Sequence, residues 1–105
     1  MHFLETPVFT RLVRKHLDDE AYGALQRALI LRPELGAVMK GAGGIRKVRW
    51  AAEGRGKRGA LRVIYFWEPA RSTFYCLYLY PKNVQDNLSP AQLRLLRRLV
   101  EEEFG

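Results

Sequence analysis

Cationic side chains that could bind and cleave a phosphodiester are concentrated between residues 40 and 62 of this chain. That window holds eight lysines and arginines against one acid, Glu53, and so accounts for the formal net charge of +7. The other residues carry ten basic and ten acidic side chains, which cancel, and six of the nine glycines also lie in the window. Because ordinary surfaces intersperse both signs, a nearly acid-free cluster predicts a site for a polyanion, with phosphate as the first candidate.

The leading candidates lie on two strands that a glycine-rich segment connects. Lys47 and Arg49 alternate with Val48 and Trp50, so the two cations share one face of a strand and lie about 7 Å apart. Arg62 follows on the next strand, and a hairpin would bring it over the same area. Four further cations of the cluster are predicted to contact RNA: Arg46, Arg55, Lys57 and Arg58.

The residue types favour cleavage of RNA by its own 2′-hydroxyl. Metal-dependent hydrolysis is disfavoured because the acidic cluster at 18–20 is better explained as a helix start. His2 and His16 are remote in sequence from the cations. Attack by the 2′-hydroxyl needs a base, cations for the phosphate and an acid for the leaving oxygen, with no metal or cofactor. A lysine among arginines can be the base, since neighbouring positive charges disfavour its protonated form. Arginine clamps phosphate oxygens in a bidentate way.

Two plainer interpretations of the charge stay open at this point. The cluster could be a solvated surface loop that keeps the protein soluble, or a general nucleic-acid-binding surface without chemistry. Most aromatic residues near the cations are expected in the core. Tyr80, at a predicted strand end, is the one best placed to stack on a base or hold a phosphate.

The N-terminal third is predicted to form a short strand and two helices. Residues 3–5 are a possible first strand, and Thr6 followed by proline opens a helix over 7–17. Asp18 caps a second helix, which ends near Arg32 because a proline follows. One apolar face of the helix pair is expected to pack on a sheet.

The rest of the chain is predicted to form three strands and a final helix. The strands span 45–52, 60–68 and 73–80, separated by a hairpin loop and a turn, and Ser89 opens a helix that ends near 104. The order β-α-α-β-β-β-α predicts a single α+β domain over residues 1–105, with an antiparallel sheet, two N-terminal helices on one face and a C-terminal helix. Two i,i+4 ion pairs are expected on the last helix, Arg97–Glu101 and Arg98–Glu102.

Bulk composition favours a cytoplasmic protein. No apolar stretch reaches the roughly 18 residues of a membrane helix, and no signal peptide is visible. The single cysteine, Cys76, fits a reducing compartment and is expected to be a small buried apolar residue within an aromatic run.

The glycine- and arginine-rich segment resembles a known family. Residues 41–49 read Gly-Ala-Gly-Gly-Ile-Arg-Lys-Val-Arg, residues 54–59 read Gly-Arg-Gly-Lys-Arg-Gly, and residues 62–66 read Arg-Val-Ile-Tyr-Phe. With Leu-Tyr-Pro-Lys-Asn at 79–83, they resemble the HigB branch of the RelE/ParE toxins. The predicted order of elements also matches that family, so the resemblance covers nearly the whole chain.

The resemblance implies a bacterial type II toxin with a small RelE-like fold. Such toxins enter the ribosomal A site and cut mRNA there without metal, by 2′-hydroxyl attack, which inhibits translation. The expected partners are mRNA on the ribosome, the 16S rRNA of the A site and a helix-turn-helix antitoxin similar to HigA that silences the toxin and represses the operon. No membrane partner is implied.

Roles carry over to individual positions of this sequence. Lys47 and Arg49 match the two basic residues on the strand before the hairpin, with Lys47 as the candidate base, and Arg62 matches the arginine that stabilises the transition state. Lys82 falls near the distal basic position of the family.

The general acid is the point at which this sequence departs from its relatives. Asn83 and Leu88 stand in the region where RelE itself carries an arginine and then a tyrosine. Tyr80 or Lys82 would then supply the proton to the leaving oxygen.

Two other functions compete with mRNA cleavage. A ParE-like toxin would poison DNA gyrase by binding alone, and it would have no need of a phosphoryl-transfer site. A non-catalytic module would bind RNA or the ribosome without cutting. The retained basic set of Lys47, Arg49 and Arg62 favours the endoribonuclease.

Overall fold

The computed structural model describes residues 1–51 and 60–105, and within them three helices pack on a five-stranded mixed sheet. This confirms the predicted α+β class. A 3₁₀ turn, Pro69–Arg71, lies within the predicted turn between the last two long strands. The elements are β1 (His2–Glu5), α1 (Pro7–His16), α2 (Asp19–Leu31), β2 (Ala37–Val38), β3 (Arg46–Ala51), β4 (Ala60–Glu68), β5 (Thr73–Pro81) and α3 (Pro90–Phe104).

Each helix begins at the capping residue that the sequence predicted. The side chains of Thr6, Asp18 and Ser89 each accept a hydrogen bond from the backbone N–H three residues later. Proline occupies the first turn of α1 and of α3. Backbone N–H groups in a first turn have no acceptor within the helix, so the missing N–H of proline costs no helical hydrogen bond. These local signals fix where the helices start, and therefore how the chain leaves the sheet.

The strand order, β1-β5-β4-β3-β2, differs from the prediction at both edges of the sheet. The last three long strands form the expected antiparallel meander with β4 in the centre. The predicted antiparallel sheet is extended at one edge by β1, which pairs with β5 in parallel and makes the sheet mixed. The short strand β2, which the sequence reading missed, pairs antiparallel with β3. With two residues, β2 is too short to show an alternating pattern.

The helices cover opposite faces of the sheet. On the face that we call the N-terminal face, α1 and α2 pack against Val48, Val63 and Phe74. On the other, the α3 face, Leu96 and Val100 of α3 pack in one cluster with Ile45, which precedes β3, and with four sheet residues: Ile64, Tyr75, Leu77 and Tyr80. The core residues of the long strands therefore divide between the side covered by the N-terminal helices and the side covered by α3.

A β-bulge in β5 changes which side chains reach the α3 face. The register with β4 shifts by one residue between Ile64 and Tyr65, which leaves Leu77 between the pairs Tyr65–Cys76 and Ile64–Tyr78. Cys76 faces the N-terminal helices, whereas Leu77 and Tyr78 both pack on the α3 side. After the bulge, the even-numbered residues of β5 have moved to the α3 face.

Charged side chains on α3 do not pair as expected. Among the described residues, the only ion pair within 4.0 Å joins Arg46 to Glu34, so the predicted pairs of α3 are absent. Arg97 instead donates to the carbonyl oxygen of Gly41 at 3.1 Å. No helix in residues 1–51 or 60–105 has the length and apolar character to cross a membrane.

Candidate phosphodiester-binding site

A row of three polar side chains crosses the α3 face of the sheet. Arg49 of β3 lies directly opposite Arg62 of β4, and Arg62 lies directly opposite Tyr80 of β5. Directly opposite residues project to the same face with Cβ atoms about 5 Å apart. The next row places Lys47 beside Ile64, two residues along β3 from Arg49. The structure thus brings Lys47, Arg49, Arg62 and Tyr80 together.

Arg62 and Tyr80 are buried with polar atoms that lack partners. Arg62 is 9% exposed and Tyr80 is 2% exposed. Arg62 Nη1 and the Tyr80 hydroxyl have no hydrogen-bond partner among the residues that the structure describes. Buried polar groups are nearly always paired, and an unpaired buried charge is costly. Two such groups on adjacent strands are the arrangement expected of a site for an anion that is not part of the protein.

The protonation state of Tyr80 follows from its surroundings. Burial raises the pKa of the Tyr80 hydroxyl, while the positive charge of Arg62 acts in the opposite direction and the Tyr78 hydroxyl adds to the rise. The net shift is upward, so the phenol keeps its proton at neutral pH. A protonated phenol beside a guanidinium can donate a hydrogen bond or a proton to an oxyanion.

No carboxylate neutralises this row within the described part of the chain. None lies within 4.0 Å of Lys47, Arg49 or Arg62. Arg49 is exposed and Lys47 is half-buried, so cationic groups lead from the surface to the buried Arg62. The electrostatic potential over this row is therefore positive, and it acts most strongly on a ligand that comes close to the buried Arg62.

Other predicted site residues are not gathered here. Arg46 pairs with Tyr65 on the N-terminal face, where it donates to the carbonyl oxygen of Gly36 at 2.8 Å and forms an ion pair with Glu34 at 3.2 Å. Lys82 is exposed in the turn after β5, two residues beyond Tyr80. The predicted hairpin loop lies outside the described residues, and so do the three predicted RNA contacts within it: Arg55, Lys57 and Arg58.

The expectation that Tyr80 could stack on a base is not met. Its ring is 2% exposed and packs within the α3-side core, with the Tyr78 ring at a centroid distance of 5.8 Å. A ring enclosed by other side chains offers no free face to a nucleobase. The hydroxyl of Tyr80, rather than its ring, is the group relevant to a ligand.

Sequence reasoning missed Asn87, whose side-chain oxygen accepts from Lys47 Nζ at 3.5 Å. Asn87 lies 40 residues away along the chain. The nearby Ser89 and Gln92 signal only the start of α3, and no local pattern relates Asn87 to β3. Only the path of the segment between β5 and α3 brings the two side chains together.

The three glycines within residues 41–44 shape a turn and are not part of the row of polar side chains. Gly41, Gly43 and Gly44 adopt positive φ angles in the turn that leads into β3. The turn buries Ala42 in the α3-side core, and a Cβ on Gly44 would lie 3.1 Å from the Phe66 ring. This turn sets the position at which β3 begins.

A cavity on the N-terminal face is separate from the row. It has a volume of about 490 Å³ and lies between α2 and the end of β3, lined by residues that include Asp18, Arg27 and Trp50. Trp50 Nε1 is also buried without a partner among the described residues. Within residues 1–51 and 60–105, no group of three or more His, Cys, Asp or Glu side chains could hold a metal ion.

Comparison with known proteins gives a family match along the whole chain. The family model described as the RelE toxin of the RelE/RelB toxin–antitoxin system matches residues 1–104.

A solved structure is similar in fold. It is that of a double arginine-to-alanine mutant of the E. coli toxin RelE in the free state, with a TM-score of 0.57 and 13% sequence identity. The match covers 81% of this chain and 86% of that one. At this identity, the similarity concerns the arrangement of helices and strands.

Proposed function

Because the chain belongs to the RelE toxin family of toxin–antitoxin systems, we propose that it is a ribosome-dependent endoribonuclease that cuts mRNA in the ribosomal A site. The observation that carries this proposal is the buried pair of Arg62 and Tyr80, each with a polar atom that has no partner among the described residues. Arg49 and Lys47 lie beside this pair on the same face of the sheet. Among the described residues, no carboxylate lies within 4.0 Å of the three cations. Such a row suits a phosphodiester, which supplies the negative charge and the acceptor oxygens that the row lacks.

In the proposed reaction, the neutral amine of Lys47 takes the proton of the ribose 2′-hydroxyl. The 2′-oxygen attacks the adjacent phosphorus, and the bond from phosphorus to the 5′-oxygen of the next nucleotide breaks. The products are a 2′,3′-cyclic phosphate and a free 5′-hydroxyl. Arg49 and Arg62 bind the non-bridging oxygens, on which negative charge accumulates in the transition state. Because DNA lacks the 2′-hydroxyl, the reaction spares it.

Tyr80 is our first candidate for the acid that protonates the leaving 5′-oxygen. Its phenol keeps its proton at neutral pH because burial raises its pKa, and it lies opposite Arg62 in the sheet register. Lys82 is the second candidate, since it is exposed and follows Tyr80 by two residues. In either case the acid is on β5 or directly after it, across the site from the base on β3.

The partners follow from the same proposal. The 16S rRNA of the A site would hold the toxin against mRNA, with Arg46, Arg55, Lys57 and Arg58 as further RNA contacts. The antitoxin would be a helix-turn-helix protein similar to HigA, encoded next to this chain, because the glycine-arginine-lysine segments resemble those of the HigB branch. Toxin action on ribosomes places the protein in the cytoplasm.

Primer extension on mRNA from translating cells tests the proposal. Expression of the chain is expected to produce discrete cuts in register with codons, and purified protein is expected to give the same cuts when it is added to ribosomes programmed with mRNA. Intact mRNA with trapped, cleaved DNA would instead identify a gyrase poison. Intact nucleic acids with retained ribosome binding would identify a non-catalytic binding module.

A further inference from the structure

The segment between β5 and α3 reaches across the sheet to the candidate base. Asn87 belongs to this segment, whereas Lys47 belongs to β3, and β4 lies between β3 and β5. Two strand spacings amount to about 10 Å, so the segment must fold back over the α3 face for the two side chains to meet. There the Asn87 side-chain oxygen accepts from Lys47 Nζ at 3.5 Å.

A set of amide hydrogen bonds holds Asn87 in this position. Gln85 Nε2 donates to the backbone oxygen of Asn87 at 2.8 Å and to Gln92 Oε1 at 3.0 Å. Gln92 Oε1 also accepts from the Ser89 backbone N–H at 2.9 Å, within the capping box that opens α3. The segment is therefore anchored to the first turn of α3, which is itself packed on the sheet.

We propose that Asn87 is a positioning residue for Lys47, and that this role deepens the proposed function by fixing where the base stands. A lysine side chain loses rotamer entropy when it is held in one place. An acceptor that already holds Lys47 in the free protein reduces this entropy loss during the reaction. An amide oxygen accepts the N–H of Lys47 without adding negative charge. A carboxylate there would cancel one of the cations that the phosphate needs and would favour the protonated amine.

The charged and titratable groups around Lys47 come from three strands and the segment itself. Arg49 lies on its own strand, Arg62 on β4, and Tyr78 and Tyr80 on β5. Asp86 and Lys82 lie in the segment, and Asp86 forms no ion pair with Lys47 within 4.0 Å. Among these groups, Asn87 is the one whose hydrogen bond reaches the amine.

The first experiment measures the reactivity of Lys47 in the free protein, without RNA. Acetylation by an N-hydroxysuccinimide ester is followed by mass spectrometry, with Lys40 and Lys82 of the same chain as internal references. Asn87→Asp is expected to slow the labelling of Lys47 by on the order of threefold to tenfold, because the protonated amine is not a nucleophile. Asn83→Asp adds the same charge to the same segment and serves as the matched control. Equal Lys47 labelling in the two variants would overturn the proposal.

The second experiment measures cleavage of mRNA on ribosomes by variants with and without Lys47. Asn87→Ala is expected to lower kcat about twofold to tenfold with little change in KM, the range of one exposed hydrogen bond. The pH–rate profile of Asn87→Asp is expected to shift to higher pH. In a Lys47→Met background, Asn87→Ala is expected to cost nothing further, because the residue acts through Lys47. An equal loss in both backgrounds would overturn the positioning role.

The two experiments separate this proposal from the proposed function. If the chain cuts no RNA but Asn87→Asp still protects Lys47 from acetylation, the contact stands and the enzymatic assignment fails. If the parent chain cuts mRNA while neither labelling nor kcat responds to Asn87, the endoribonuclease stands and the positioning role fails.

Discussion

Two buried tyrosines on neighbouring strands show how the faces of this sheet differ. The Tyr65 hydroxyl, on the N-terminal face, donates to the carbonyl oxygen of Pro33 and accepts from the Gly36 N–H, both at 2.8 Å. The Tyr80 hydroxyl, on the α3 face, has no partner among the described residues. Burial raises the pKa of both phenols. The Tyr65 hydroxyl therefore serves the fold, whereas the Tyr80 hydroxyl is unpaired and lies beside a guanidinium with one unpaired nitrogen, Arg62 Nη1.

Charged groups on the two faces also differ in their hydrogen bonding. On the N-terminal face, Glu5 accepts from the Tyr22 hydroxyl at 2.5 Å and from Thr10 Oγ1 at 2.6 Å. On the α3 face, Arg62 is buried with Nη1 unpaired. Satisfied networks rigidify a fold, and unsatisfied buried groups persist where a ligand completes them. Trp50 Nε1 is also unpaired on the N-terminal face, so it is the buried charge of Arg62 that favours the α3 face as the candidate site.

The largest expected effect is on cleavage by Arg62→Ala. Loss of a cation that contacts the phosphate in the transition state is expected to lower the cleavage rate by about 10² to 10³. The fold should remain intact, because removal of a buried, unpaired charge also removes its desolvation cost. Rates on ribosomes and urea unfolding curves measure the two effects. Arg11→Ala, an exposed arginine of α1, is the matched control, and a fully toxic Arg62→Ala strain would remove this residue from the site.

A matched pair of substitutions tests the contrast between the tyrosines directly. Tyr65→Phe is expected to lower the free energy of unfolding by about 1–3 kcal/mol, because the Gly36 N–H and the Pro33 carbonyl lose their partner. It should leave cleavage nearly unchanged per folded molecule. Tyr80→Phe is expected to leave the free energy of unfolding within about 0.5 kcal/mol and to slow cleavage by about 10²-fold if Tyr80 is the acid.

Urea titrations and single-turnover cleavage rates supply the measurements for this pair. If Tyr80→Phe destabilised the fold as much as Tyr65→Phe, the Tyr80 hydroxyl would have a structural partner and the contrast would disappear. Full cleavage activity in Tyr80→Phe would pass the role of acid to Lys82.

The smallest expected effect concerns Cys76, which faces the N-terminal helices. Burial raises the pKa of its thiol from 9.0 to about 12. Because the folded state holds the proton more tightly, this thiol's contribution to stability is complete below pH 9 and is lost as the pH rises toward 12. Between pH 9 and 10, the free energy of unfolding should fall by about 1 kcal/mol through this thiol in the parent chain, and this part of the fall should be missing in Cys76→Ala.

Urea unfolding at pH 8, 9 and 10 measures this dependence, and the difference between the parent chain and Cys76→Ala isolates the thiol because the tyrosines ionise alike in both. An identical slope in the parent chain and in Cys76→Ala would mean that the thiol is not as enclosed as its 2% exposure indicates.

Local signals in the sequence determined much of the fold. Thr6, Asp18 and Ser89 fixed the helix starts through side-chain hydrogen bonds to backbone groups three residues away. Alternation in β3 placed Lys47 and Arg49 on one face, and the excess of positive charge marked the segment in which they lie. These features depend on neighbours along the chain, so they can be read without a structure.

The tertiary structure alone decided which groups meet the two cations of β3. Strict alternation in β5 would place Tyr80 on the same face as Cys76, and the bulge at Leu77 moves it to the α3 face beside Arg62. The burial of Arg62, the parallel pairing of β1 and the reach of Asn87 to Lys47 likewise arise between distant segments. Strand register and side-chain burial depend on the packing of the whole sheet, so no local pattern encodes them.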